Sequence, residues 1–159
     1  MMQDLFANIA CAFLGTIGYA ILYNVPKRFF FGCGFTVAAG WLAYLFSSER
    51  LMTSAATASF LGAFVVVMIA RMLTVRLKCP ITIFLISGIL PLVPGAGIYY
   101  TVYYLVTNQL SMASSSGMEA IKVAFSIVLG IVLVVPIPRQ YFQIAYWRKR
   151  LFGKVEAPK

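Results

Sequence analysis

Pro91-Leu92-Val93-Pro94-Gly95-Ala96-Gly97 lies inside an apolar run over 81–106, and the reading of that stretch decides the fold. The run is long enough to cross a bilayer, for which about 20 apolar residues suffice. Two prolines three apart each remove an amide donor and clash with the preceding turn, so no straight helix passes through them. Gly95 and Gly97 admit backbone conformations closed to other residues. The stretch therefore predicts two half-helices, 81–90 and 97–107, joined by an unwound segment at membrane depth. Irregular backbone is tolerated there only where it is buried in protein or lines a wet cavity. In transporters such breaks form substrate sites; the plainer reading is a proline kink that only shapes packing. Two prolines followed by two glycines favour the functional break, which makes Pro91, Pro94, Gly95, Ala96 and Gly97 candidate substrate-binding residues.

Composition places this run in an integral membrane protein. Of the 159 residues, 62% are hydrophobic and 11% charged, and the mean hydropathy is +0.90. A soluble domain carries roughly a quarter of its residues as charges. The net charge of +9 does not imply nucleic acid, because the basic residues flank apolar spans instead of forming one patch. That is the positive-inside pattern of a bacterial-type (inner, plasma) membrane protein. Histidine is absent, which excludes His-based triads and the usual zinc sites. Cys11, Cys33 and Cys79 have no metal spacing, and no cofactor or metal is expected. Only Asp4 precedes the first apolar run and Lys27-Arg28 follow it, so that segment reads as a retained span and not as a cleaved signal, which begins with a basic segment.

Working outward from the break, the apolar runs predict an all-α, single polytopic membrane domain of five spans: 5–23, 29–46, 52–70, the broken 81–107, and 118–137. Gly15 and Gly18 suit close approach of another helix to the first span. Asn24-Val25-Pro26 ends it. The second span has a small side (Gly32, Gly34, Ala38, Ala39, Gly40), and its Trp41, Tyr44 and Phe46 suit the far interface. Ser47-Ser48-Glu49-Arg50 reads as an outer loop. On the third span Ala55, Ser59 and Ala63, with Ala58 and Gly62, form a flat face for helix packing, and Arg71, Arg76 and Lys78 return the chain to the cytoplasmic side. The second half of the broken span carries Tyr99, Tyr100, Tyr103 and Tyr104, spaced to stack at i,i+4. They form either an interfacial belt or a set of hydroxyls beside the break, and on the second reading Tyr99, Tyr100 and Tyr103 join the candidate site. A polar outer loop over 108–117 leads to the last span, where Glu119 and Lys122 are spaced to pair. A basic, aromatic tail over 138–159 anchors the chain to anionic lipid on the cytoplasmic face. This arrangement puts the N-terminus outside and the C-terminus in the cytoplasm.

The chain resembles the threonine/serine exporter family, on Tyr23-Asn24-Val25-Pro26 after the first span, Pro91-Leu92-Val93-Pro94-Gly95 followed by Tyr99 in the broken one, its length and its five spans. The closest likeness is to the short subunit of the two-component members, which looks like the second hydrophobic half of the fused ones. The resemblance implies export of threonine and serine, or of succinate as in some two-component members, together with a longer partner protein that supplies the first half. Homo-oligomerisation is compatible with it. A five-span second half starting outside complements a five-span first half starting inside, the plan of inverted repeats with the site at their interface.

Two functions from different classes remain open on these residues. One is half of a secondary exporter for a small carboxylate-bearing metabolite, with the free amides and positive end of the helix after the break receiving the carboxylate. The other is a non-transporting structural or assembly subunit of a membrane complex. An intramembrane enzyme is disfavoured, since no histidine or buried acid pair offers acid–base chemistry. The only acids are Asp4, Glu49, Glu119 and Glu156; with Glu119 read as paired near the outer end, the coupling carboxylate is expected in the partner half if the proton gradient drives export.

Overall fold

The computed structural model describes residues 2–50 and 52–138, with side chains described for 8–49 and 52–138. The side chain of Asp4 and the basic tail from Arg139 lie outside the described residues. The described chain is helical, without strands: α1 (Met2–Leu22), α2 (Phe30–Leu45), α3 (Ala55–Leu77), α4 (Thr82–Ile89), α5 (Gly95–Val106) and α6 (Leu110–Val134). Three helical stretches are long and apolar enough to cross a membrane, Lys27–Glu49, Ala55–Leu77 and Leu110–Val134. A bent pair, Thr82–Leu92 and Gly95–Val106, and the shorter apolar helix Asn8–Leu22 accompany them. The chain is a multi-pass membrane protein.

Helix ends follow from local chemistry. Asn24, at φ 54°, closes α1. Its N–H donates to Ile21 O, and Val25 N–H reaches back to Ala20 O at 2.9 Å. This paired pattern satisfies the last carbonyls of a helix. Asn108, at φ 56°, closes α5 the same way, with Gln109 N–H on Tyr104 O at 2.8 Å. Lys78, also left-handed, ends α3. Ser54 caps the start of α3 by accepting from Thr57 N–H.

Helix α3 is central, packing on α2, α4 and α6, while α1 packs on α2 and α5 on α6. The small-residue face predicted on the third span is buried here, including Ala58, Ser59, Gly62 and Ala63. Gly40 of α2 meets Gly62 of α3 so closely that a Cβ on either would lie within 3.3 Å of the other's carbonyl oxygen. Such contacts replace the hydrophobic drive that lipid removes. Two core clusters result. One joins Phe29, Cys33, Ala70, Cys79 and Phe84, and the other joins Ala63, Val66, Leu92, Val123 and Ile127.

The structure corrects several expectations. Ser47–Glu49, read as outer loop, belong to a helical turn continuing α2, Phe46–Arg50. The third span starts at Ala55 and runs seven residues past 70, so Arg71 and Arg76 lie within α3. Arg71 is buried because its Nη2 donates to Val135 O, just past the last turn of α6. A cation at a helix C-terminus satisfies a free carbonyl and the helix dipole together. The polar loop over 108–117 shrinks to a turn, since α6 begins at Leu110. Serine hydroxyls can be satisfied inside a helix, and Ser115 Oγ donates to Met112 O at 2.9 Å. Gly15 and Gly18 have no neighbour within 4 Å of where a Cβ would stand. It is Gly34 of α2, under the ring of Phe13, that lets α1 approach.

Candidate substrate recess at the broken span

The break is tighter than the sequence predicts. Helix α4 ends at Ile89, one 3-10 turn carries Leu90–Leu92, and α5 resumes at Gly95, bent by 47° from the first half. Only Val93 and Pro94 are non-helical. Gly95 and Gly97 lie within α5, and no glycine among the described residues has positive φ. The prolines suffice to make the bend. Pro94, at φ −75° and ψ 60°, sits in a three-residue turn closed by Gly95 N–H on Val93 O at 2.7 Å, the geometry of an inverse γ-turn. The glycines contribute smallness instead. A Cβ on Gly97 would stand 3.1 Å from Ala120 Cβ, whereas one on Gly95 would point into open space.

This turn decides which amides are free. Gly95 N–H is used by Val93 O, and Ile98 N–H donates to Pro94 O at 3.1 Å. Ala96 and Gly97 carry the unpaired first-turn donors of α5, and no side chain caps them. The start of a helix left this way bears partial positive charge.

A recess of about 440 Å³ opens beside that start, within the roughly 300–1,000 Å³ of small-molecule pockets. Of the residues singled out in the sequence, Pro91, Pro94, Gly95, Ala96, Gly97 and Tyr100 line it. Tyr99 and Tyr103 do not. They lie on an outer face of α5, 64% and 48% exposed. The tyrosine stacks form as the spacing predicts, Tyr99 on Tyr103 with centroids 6.4 Å apart and Tyr100 on Tyr104 at 6.2 Å. Only the second stack touches the recess, through Tyr100.

The opposite wall holds residues to which the sequence reading gave other roles. Trp41 and Tyr44, assigned to a membrane interface, stack on each other with centroids 5.3 Å apart and line the recess. The Trp41 Nε1–H is buried without a hydrogen-bond partner. Ser59 comes from the packing face of α3, and Ser116 and Glu119 come from α6. Glu119 forms no ion pair with Lys122, which lines a neighbouring recess with it. With α6 starting at Leu110, Glu119 stands in the third turn of a long apolar helix. An ionisable residue within a span is the signal that would have singled it out.

No curated relative and no solved structure matches the chain. The family model described as Threonine/Serine exporter, ThrE matches residues 8–137, a stretch that takes in the broken span, the recess and every described helix apart from the first residues of α1. The chain belongs to the threonine/serine exporter family and is a membrane component of an exporter, not an enzyme.

Proposed function

We propose that this chain is one half of a secondary exporter for small carboxylate-bearing metabolites, and that a longer membrane protein supplies the other half. The observation that carries the reading is the recess at the break, which is lined by Ala96 and Gly97, the residues whose amides are unpaired. Those amides and the positive end of α5 bind a substrate carboxylate with no lysine or arginine among the described residues of the recess. Counting α1 as a span and α4 with α5 as one bent span gives five, with the N-terminus outside and the C-terminus in the cytoplasm. A partner half starting inside then faces this one as an inverted repeat, with the substrate between them. The reading is further supported by α5, which buries none of its residues within this chain and so leaves one side of the recess for another protein to close.

A test is export from cells that express this chain alone, the partner alone, both or neither, loaded with serine, threonine or succinate. Export of one of them only when both halves are present is expected. If the partner alone exports at the full rate, the chain is an assembly subunit and the recess is not its site.

A further inference from the structure

We infer that Glu119 binds the ammonium group of a zwitterionic substrate and thereby makes the recess select amino acids against dicarboxylates. This rests on the reading of the recess as the substrate site. Among the described residues, Glu119 is the one charged side chain in the recess lining. The packing of α6 on α5 fixes its place, because Ala120 sits against Gly97, and Thr101 sits against Gly117 with its Cγ2 3.2 Å from where a Cβ would be. The two helices thus run antiparallel with Glu119 beside the first turn of α5, and both border the same space. That space has two electrical poles. The unpaired amides of Ala96 and Gly97 favour negative charge. The Glu119 carboxylate favours positive charge and repels negative, and Lys122 lines the neighbouring recess and not this one. A molecule with one carboxylate and one ammonium group complements both poles. A dicarboxylate placing one group on the amides sets the other against the exposed Glu119 carboxylate, and like charges repel.

The test uses membrane vesicles that contain the chain with its partner half and three radiolabelled probes: serine, glycerate (which has a hydroxyl in place of the ammonium) and succinate. Wild type, Glu119→Gln, Glu119→Asp and Gly95→Leu are compared at equal membrane abundance. Wild type is expected to move serine in preference to glycerate and succinate. Glu119→Gln is expected to raise the KM for serine by about tenfold or more, the loss of one hydrogen bond to a charged group. It should also narrow the preference for serine over glycerate by a similar factor, and Glu119→Asp should restore much of it. An unchanged serine-to-glycerate ratio in Glu119→Gln, with Gly95→Leu inactive, overturns the role of Glu119 and leaves the site in place. With transport also measured with and without an imposed pH gradient, loss of gradient dependence in Glu119→Gln at unchanged KM likewise overturns it, in favour of proton coupling. Preference of the wild type for succinate overturns it while sparing the exporter. Full transport by Gly95→Leu sinks the site and this inference together.

Discussion

At residue 95, which lines the recess, a leucine would meet open space, whereas at residue 97 it would meet a neighbouring helix. The two glycines are separated by one residue and share a half-helix, yet a Cβ at 95 has nothing within 4 Å while one at 97 stands 3.1 Å from Ala120 Cβ. Gly95→Leu is expected to insert and accumulate like wild type, since a leucine improves helix propensity by roughly 0.5–1 kcal/mol over glycine, and to abolish export by filling the substrate space. Gly97→Leu should instead force α5 away from α6, an overpacking cost of about 1–3 kcal/mol, and lower abundance and export together. Export per unit of membrane-inserted protein, measured for both, separates occlusion from misfolding. Equal loss of abundance in the two variants would show that Gly95 is packed and not open. Neither glycine differs from the other in sequence pattern. Their difference exists only once the α5–α6 register is set.

Among the elements, the ones read correctly from sequence were those whose signal is local. The break needed only Pro91 and Pro94, and the end of α1 needed only Asn24 followed by Pro26. The small face of α3 was legible because Ala55, Ser59 and Ala63 recur every four residues. What failed was decided by partners distant in sequence. Residues 108–117 look like loop by composition, but Gly117 accommodates Thr101 and Ser115 returns its hydroxyl to the helix backbone, so α6 extends through them. Arg71 looks like the end of a span until Val135 O offers it a partner. Trp41 and Tyr44 suit an interface and a recess wall equally well by chemistry alone. Long-range packing of this kind is tested at Gly130, where a Cβ would stand 3.0 Å from Phe60 O, 3.1 Å from Ala63 Cβ and 3.2 Å from Phe64 N. Two of those three atoms are backbone and cannot swing aside. Gly130→Val is therefore expected to loosen the α3–α6 contact by about 1–3 kcal/mol, visible as earlier thermal unfolding in detergent, whereas Gly15→Val, which faces open space, should leave the transition close to wild type.

Across the whole molecule, the proposed orientation rests on where the fold gathers its cations. Arg28 lies over the ring of Phe29, 4.5 Å from its centroid, and Phe29 packs in one cluster with Cys79 and Phe84. That cluster brings the turn after α1 and the turn after α3, which contains Lys78, to one end of the bundle. The turn between α5 and α6, at Asn108, lies one half-span beyond the break and carries no lysine or arginine. A short loop rich in lysine and arginine stays in the cytoplasm, and on that rule the proposed orientation takes the Arg28 end as the inner one. Single cysteines at Lys27 and at Asn108, in a background lacking Cys11, Cys33 and Cys79, test this with an impermeant thiol reagent. The native Cys79 is a poor reporter although it lies at the same end as Arg28, because burial pushes its thiol up despite the opposing influence of Arg28, and the thiolate is the reacting species. Asn108→Cys should label in intact cells and Lys27→Cys only after permeabilisation. The reverse result would turn the chain over, and a five-span partner starting inside would then run parallel to it. The inverted-repeat arrangement would fall, while the recess, which depends only on contacts within this chain, would stand.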